Sequence, residues 1–300
     1  MKRMCKNVNC VKTEILTWGE PFFDRKQDII VCITGNPGIT DFYIDFASEL
    51  YKAEQMPICV IGHAGHDGNF NDKSHGLVNN EHLFSLDAQI KHKLDFLENH
   101  VHPNSKIHLI GHSIGAWIIV ELLHKYDQLK DRVLTINLLF PTLQRMAESK
   151  NGKFVNNFYR NMHWFILFLS NFLYLFPTFV IMLIINLCLA VRSLPNNYCD
   201  AILKMINPFI LEKILIMGYD EMDIVKELNR DGIDKIKHLT HVIYGIRDNW
   251  APLDYMDDLK KYEPYIKMTK AHDVEHAFVL KSSEQVADMV ANCNQHRWYT

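Results

Sequence analysis

Ser113 stands between two glycines in a stretch that reads KIHLIGHSIGAWIIVELLHKY from Lys106 to Tyr126. A hydroxyl is a weak nucleophile at neutral pH, so a serine that attacks a carbonyl must be presented to a base and kept clear of its own backbone. Gly111 and Gly115 permit this. At a tight strand-to-helix turn the central residue takes a strained conformation, and side chains two residues before and after it would collide across the turn. The flanks fit, since IHLI is strand-like and Ala116, Ile119, Val120 and Leu123 continue a helical pattern. The competing reading is a strand–helix turn that carries an incidental serine.

Acyl transfer at such a serine needs donors for the oxygen that becomes negative in the tetrahedral intermediate. The first is expected from the Ile114 N–H at the start of the helix. The second must come from another loop, and ITGNPGI follows the first long buried strand. There Gly35 allows a turn, Pro37 stiffens it, and the Asn36 N–H is the chosen donor. The order serine, acid, histidine then requires two groups downstream. Asp248 lies in YGIRDNWAP just past a late apolar run, and KAHDVEHAFVL offers His272 and His276. His276 is preferred because AFVL, directly after it, can anchor the loop. Each of these residues taken alone also fits an ordinary turn or surface position.

The elements that must position these groups can be read from the apolar runs. DIIVCITG, MPICVIG, KIHLIG, LTINLLF and THVIYG alternate with helical patterns, which argues for a mostly parallel sheet flanked by helices. Ile29–Ile33 is apolar on both faces, as a strand buried on both sides must be. VKTEILTWG fits an additional antiparallel edge strand. Leu83, Leu86, Ile90, Leu94 and Leu97 recur at three-to-four-residue spacing and predict an amphipathic helix. His82 and Asp87 fall within that pattern five apart, off a common face, and are read as surface residues. From Phe140 to Thr240 no strand is evident, and this helical, partly very apolar stretch reads as an inserted cap. The expected division is 1–141 with 238–300 as the core and 142–237 as the cap.

Bulk properties narrow the function by exclusion. The 300 residues are 48% hydrophobic and 22% charged, an ordinary globular composition. A net charge of −3 supplies no basic footprint for nucleic acid. Seven scattered cysteines show neither a disulfide framework nor metal-ligand spacing, and a reducing compartment is expected. The basic start lacks the apolar region of a secretory signal. In GHAGHDG, Gly62 to Gly68, the histidines and aspartate read as turn residues rather than metal ligands, so no metal and no organic cofactor are expected.

GNPG, HAGH, IGHSIG, LLFPT, YGIRDNWAP and HAFV occur in this order, and the chain from about Thr13 onward resembles the lipid droplet-associated hydrolase family, a branch of the α/β-hydrolase superfamily. The resemblance implies an α/β-hydrolase fold, with Ser113 as nucleophile, Asp248 as acid and His276 as base. It also implies attachment to the cytosolic face of the lipid droplet or endoplasmic reticulum. Many lipases carry His-Gly-Gly ahead of the oxyanion loop, where this chain has Thr34-Gly35-Asn36.

Trp164 to Val191 reads WFILFLSNFLYLFPTFVIMLIINLCLAV, with no charge and one break at Pro177. A single crossing of a bilayer would place Ser113 on the side opposite Asp248 and His276. Two half-helices are each too short to span, so a re-entrant hairpin or two interfacial helices at a lipid monolayer are expected, with Lys150, Lys153, Arg160 and Arg192 near the headgroups. Buried cap helices are the alternative. The function expected from these features is hydrolysis of carboxylic esters of lipids through an acyl-enzyme. Transacylation by the same serine, or a droplet-organising protein with little turnover, are the competing functions; the sequence names no protein partner.

Overall fold

Two polar stretches and six apolar ones build one sheet. The computed structural model describes residues 1–22, 27–67, 76–77 and 79–297, the last three without their side chains. The strands are β1 (Lys2–Val8), β2 (Val11–Trp18), β3 (Ile29–Ile33), β4 (Ile58–Ile61), β5 (Ile107–His112), β6 (Val133–Leu139), β7 (Thr240–Gly245) and β8 (Lys267–Ala271). Their order is β1-β2-β4-β3-β5-β6-β7-β8. From β4 to β8 every pairing is parallel, while β2 runs antiparallel to both β1 and β4. The sheet is therefore mostly parallel, and β2 is internal rather than an edge, because β1 covers it.

Alternation of side chains across the central strands divides the core. Ile29, Val31 and Ile33 pack on the side of α2 (Leu86–Asn99) and α3 (Ile114–Lys125). Ile30 and Cys32 pack on the other side, against α1 (Ile44–Glu54) and α10 (Ser283–Arg297). This two-sided burial explains why the parallel strands are apolar throughout. The amphipathic pattern beginning at Leu83 is divided: Glu81–Leu83 is a 3-10 turn, Ser85 caps Ala88 N–H, and the α-helix starts at Leu86. His82 thus precedes the helix that carries Asp87, and Asp87 pairs with Lys91 and Lys125.

β3 is the first of the parallel strands in the chain. The next strand, β4, lies on one side of it and β5 on the other, which opens a crevice at the carboxyl ends of β3 and β5. Ile33 is paired with Gly111, His112 with Leu139, and Gly245 with Ala271. Consequently the loops after β3, β5, β7 and β8 leave the sheet on the same edge. Between β6 and β7 the chain forms α4 (Lys150–Phe154), a π-helical turn (Val155–Tyr159), α5 (His163–Leu173), α6 (Thr178–Val191), α7 (Cys199–Met205), α8 (Pro208–Ile224) and α9 (Arg230–Ile236).

α5 and α6 meet at a bend of 118°, and among the described residues no single helix is long and apolar enough to cross a membrane. Leu167, Ile181, Ile185 and Leu189 face the protein, but Trp164, Phe168, Phe179, Leu183 and Leu187 are each at least 66% exposed. Helices apolar all round are thus buried along one face only. Arg160, expected near headgroups, is instead held by α8 through the Tyr219 carbonyl and Asp223.

Candidate active site

Ser113 occupies the turn between β5 and α3 with φ 54° and ψ −120°, a strained conformation for a residue with a side chain. Its neighbours hold it there: Ser113 N–H donates to the Leu139 carbonyl at 3.0 Å, and its own carbonyl accepts from Ala116 N–H at 3.0 Å. A Cβ on Gly111 would fall 2.7 Å from Ala116 N, Gly115 O and the Ile119 side chain. One on Gly115 would lie 2.5 Å from the Ile33 carbonyl oxygen and 2.6 Å from that of Thr34. The two glycines therefore serve different approaches. Gly111 lets the turn close on itself, as the spacing suggests, whereas Gly115 lets α3 rest on the end of β3, a contact that local sequence does not contain.

The loop after β8 brings His276 over the serine. Its Nε2 lies 2.9 Å from Ser113 Oγ, and its Nδ1 lies 2.7 Å from Asp248 Oδ2. Asp248 Oδ1 accepts from the main-chain N–H groups of Trp250 at 2.7 Å and Ala251 at 3.0 Å, which locks the carboxylate in the loop after β7. With a carboxylate at Nδ1, that nitrogen carries the proton and Nε2 is left to accept one from the serine. The arrangement can take a proton from Ser113 and stabilise the imidazolium that results. His272 is exposed and its carbonyl accepts from Gln285; it is not the histidine beside Ser113.

A second set of buried groups, absent from the sequence reading, supports these three. His112 donates from Nε2 to the His276 carbonyl at 2.9 Å, so its Nδ1 accepts from the Tyr43 hydroxyl at 2.6 Å. That hydroxyl in turn accepts Gly35 N–H at 2.7 Å. Burial, with the neighbouring His276 adding to it, pushes His112 well below its ordinary value and keeps it neutral. One phenol and one imidazole thus tie the loop after β3 to the backbone of His276. The motif GHS carried a partial signal for this, but Tyr43 offered none.

The loop after β3 touches the serine directly, since a Cβ on Gly35 would lie 3.1 Å from Ser113 Cβ. Because Tyr43 engages Gly35 N–H, the next amide, that of Asn36, stays available. Among the described residues neither Asn36 N–H nor Ile114 N–H has a hydrogen-bond partner. Gly38 N–H donates to His66 Nδ1 at 3.0 Å, and a Cβ on Gly38 would strike His63 N at 2.5 Å. The histidines of HAGH are therefore buried braces of this loop rather than simple turn residues. Burial lowers His66 to about 3 and raises Asp67 to about 8.

Oxygens of Glu14, Asp41 and Asp67 lie within 4.8 Å of one another, a spacing that could suit a cation. The protein supplies its own: Lys204 Nζ is 2.6 Å from Asp41 and 3.0 Å from Glu14, and Arg3 pairs with both.

The model of the family described as lipid-droplet associated hydrolase matches residues 26–279. The chain is 36% identical to a lipid droplet-associated hydrolase of Drosophila melanogaster, over 99% of both chains. To the Homo sapiens protein of that name it is 33% identical, over 92% of this chain and 88% of the relative. Among solved structures it is similar to a meta-cleavage product hydrolase from Pseudomonas fluorescens, with a TM-score of 0.65 and 14% identity over 98% of each chain. At that identity the likeness speaks for the α/β-hydrolase fold alone.

Proposed function

The chain belongs to the lipid-droplet associated hydrolase family, and from that membership we propose that it hydrolyses carboxylic esters of lipids at a lipid surface, with Ser113, His276 and Asp248 as its catalytic triad. The observation that carries this reading is the His276 ring, within hydrogen-bond reach of Ser113 Oγ at 2.9 Å and of the Asp248 carboxylate at 2.7 Å. Ser113 Oγ attacks the ester carbonyl carbon while its proton passes to His276 Nε2. Negative charge gathers on the carbonyl oxygen, for which the N–H groups of Ile114 and Asn36 are the donors. Collapse returns the proton to the departing alcohol and leaves an acyl group on Ser113. Water, deprotonated by the same nitrogen, then releases the acid.

Residues 142–237 act in this reading as a cap on the core formed by 1–141 and 238–300. The outward face of α5 and α6, with Trp164 78% and Phe179 72% exposed, is the surface that enters a lipid monolayer of the droplet or endoplasmic reticulum from the cytosolic side. Turnover of a panel of acyl esters by the wild type and Ser113→Ala tests the reaction. A wild type that turns over and a variant reduced by at least about a thousandfold are expected. Equal rates would reject Ser113, and acyl transfer to an added alcohol in preference to water would favour a transacylase.

A further inference from the structure

Asn36 offers its main chain to the proposed oxyanion, but its side chain is held by α8. Asn36 Nδ2 donates to the Ile214 carbonyl at 3.1 Å and to Glu221 Oε1 at 2.8 Å. Gly218 lies between these two on the helix, and a Cβ there would sit 3.5 Å from Asn36 Nδ2, so the carboxamide rests against one face of α8. Its other end has no partner: Asn36 Oδ1 is buried and unbonded. Glu221 is itself only 2% exposed.

A carboxylate only accepts hydrogen bonds, whereas a carboxylic acid also donates one. As an acid, Glu221 keeps an acceptor for Nδ2 and gains an O–H, the kind of donor that Oδ1 lacks. The groups around it favour that form. Burial pushes the Glu221 carboxyl up to about 8 despite the Asn36 hydrogen bond, and Asp220 beside it adds to the rise. Cations on the surrounding elements are engaged elsewhere: Arg160 with Asp223, Arg145 with Asp258, Lys204 with Asp41, Lys91 with Asp87, and Lys213 with the Phe209 carbonyl. Lys93 bonds His92 on α2, His163 bonds the Tyr219 hydroxyl, and His276 bonds Asp248 and Ser113. Glu148 and Glu212, on the turn before α4 and on α8, carry the same sign as an ionised Glu221.

We propose that Glu221 is a positioning residue for the hydrolysis: as a carboxylic acid it closes a reciprocal pair with the Asn36 carboxamide and so fixes the peptide N–H that receives the oxyanion. The inference rests on the ester-hydrolase reading given above. It makes α8 part of the machinery, because displacement of the helix would release the loop that completes the site.

The test compares the full-length wild type with Glu221→Gln, Glu221→Leu, Asn36→Ala and the double variant Glu221→Leu/Asn36→Ala on a soluble short-chain ester and a fluorophosphonate probe. Glutamine keeps one donor and one acceptor, so Glu221→Gln should retain kcat within about twofold and stay flat above about pH 8, where the wild type declines as the acid ionises. Glu221→Leu and Asn36→Ala should each lower kcat and the labelling rate about tenfold with KM little changed, and the double variant should lose no more than either. Additive losses, an unimpaired Glu221→Leu, or a Glu221→Gln as weak as Glu221→Leu would overturn the proposal. An infrared carboxylic-acid band that the wild type shows near pH 6 beyond the one from Asp67, and that Glu221→Gln loses, needs no turnover. Its absence from the wild type rejects the acid–amide pair, while a wild type that shows the band but neither labels nor turns over rejects the hydrolase reading instead.

Discussion

Replacing Tyr43 by phenylalanine removes one oxygen and leaves two buried partners without a bond. In the native protein that hydroxyl accepts Gly35 N–H at 2.7 Å and donates to His112 Nδ1 at 2.6 Å, inside a residue only 2% exposed. Each orphaned buried group costs about 1–3 kcal/mol, so the substitution should destabilise the fold by about 2–6 kcal/mol. Unfolding entropy of about 2.1 cal/mol/K per residue amounts, over 300 residues, to about 0.6 kcal/mol/K, and Tm should fall by roughly 3–10 °C. The function should suffer beyond this. His112 then loses the partner that fixes its tautomer, and with it the hold on the His276 carbonyl, so kcat/KM for a soluble ester should drop about 10–100-fold even well below the new Tm. Calorimetry and steady-state rates on the purified variant decide the matter. A Tm within about 1 °C of wild type together with unchanged kcat would refute the bracing role of Tyr43.

Gly115→Ala places a methyl group 2.5 Å from the Ile33 carbonyl oxygen, so α3 must move off β3; a loss of about 1–3 kcal/mol and about a hundredfold in kcat should be seen by thermal unfolding and ester turnover. Lys93 is fully buried and its ammonium is lowered by burial to about 7, so folding stability associated with it is complete above its unfolded value of 10.5 and is lost as pH falls toward 7. Lys93→Met should therefore unfold at a higher temperature than wild type at pH 7, with a gain that shrinks as pH approaches about 10; a gain that widens instead would contradict that sign. Replacing Phe168, Phe179, Leu183 and Leu187 together by glutamate should leave Tm nearly unchanged, since all four are at least 66% exposed, and should abolish flotation with phospholipid-coated triolein droplets.

How far the molecule was legible from its sequence depended on how local each feature is. β3 to β7 announce themselves as apolar runs because burial on both faces demands it. β1 and β8 do not: KRMCKNV and KMTKA sit at the two edges, half in solvent, and carry the polar residues that edges tolerate. Ser113 was singled out through glycines two residues away, and Asp248 and His276 through chain order and the ends of apolar runs. Their meeting across the sheet edge needed no information beyond the order of those runs. The roles of Tyr43, His66 and Glu221 were invisible for the opposite reason. Glu221 lies 185 residues from the Asn36 amide it accepts, and only the docking of α8 on the loop after β3 gives it a role. The break of the apolar stretch near Pro177 into two helices was anticipated from its composition, but the single buried face was not, because a sequence apolar all round does not say which side packs.

Ser113 as the acyl-bearing residue is tested most directly by mass spectrometry of the protein after brief exposure to a chromogenic ester or a fluorophosphonate. One adduct is predicted, on the peptide containing Ser113, absent from Ser113→Ala and formed at least about a thousandfold more slowly by His276→Ala. An adduct on a different residue, or an undiminished adduct in Ser113→Ala, would contradict it.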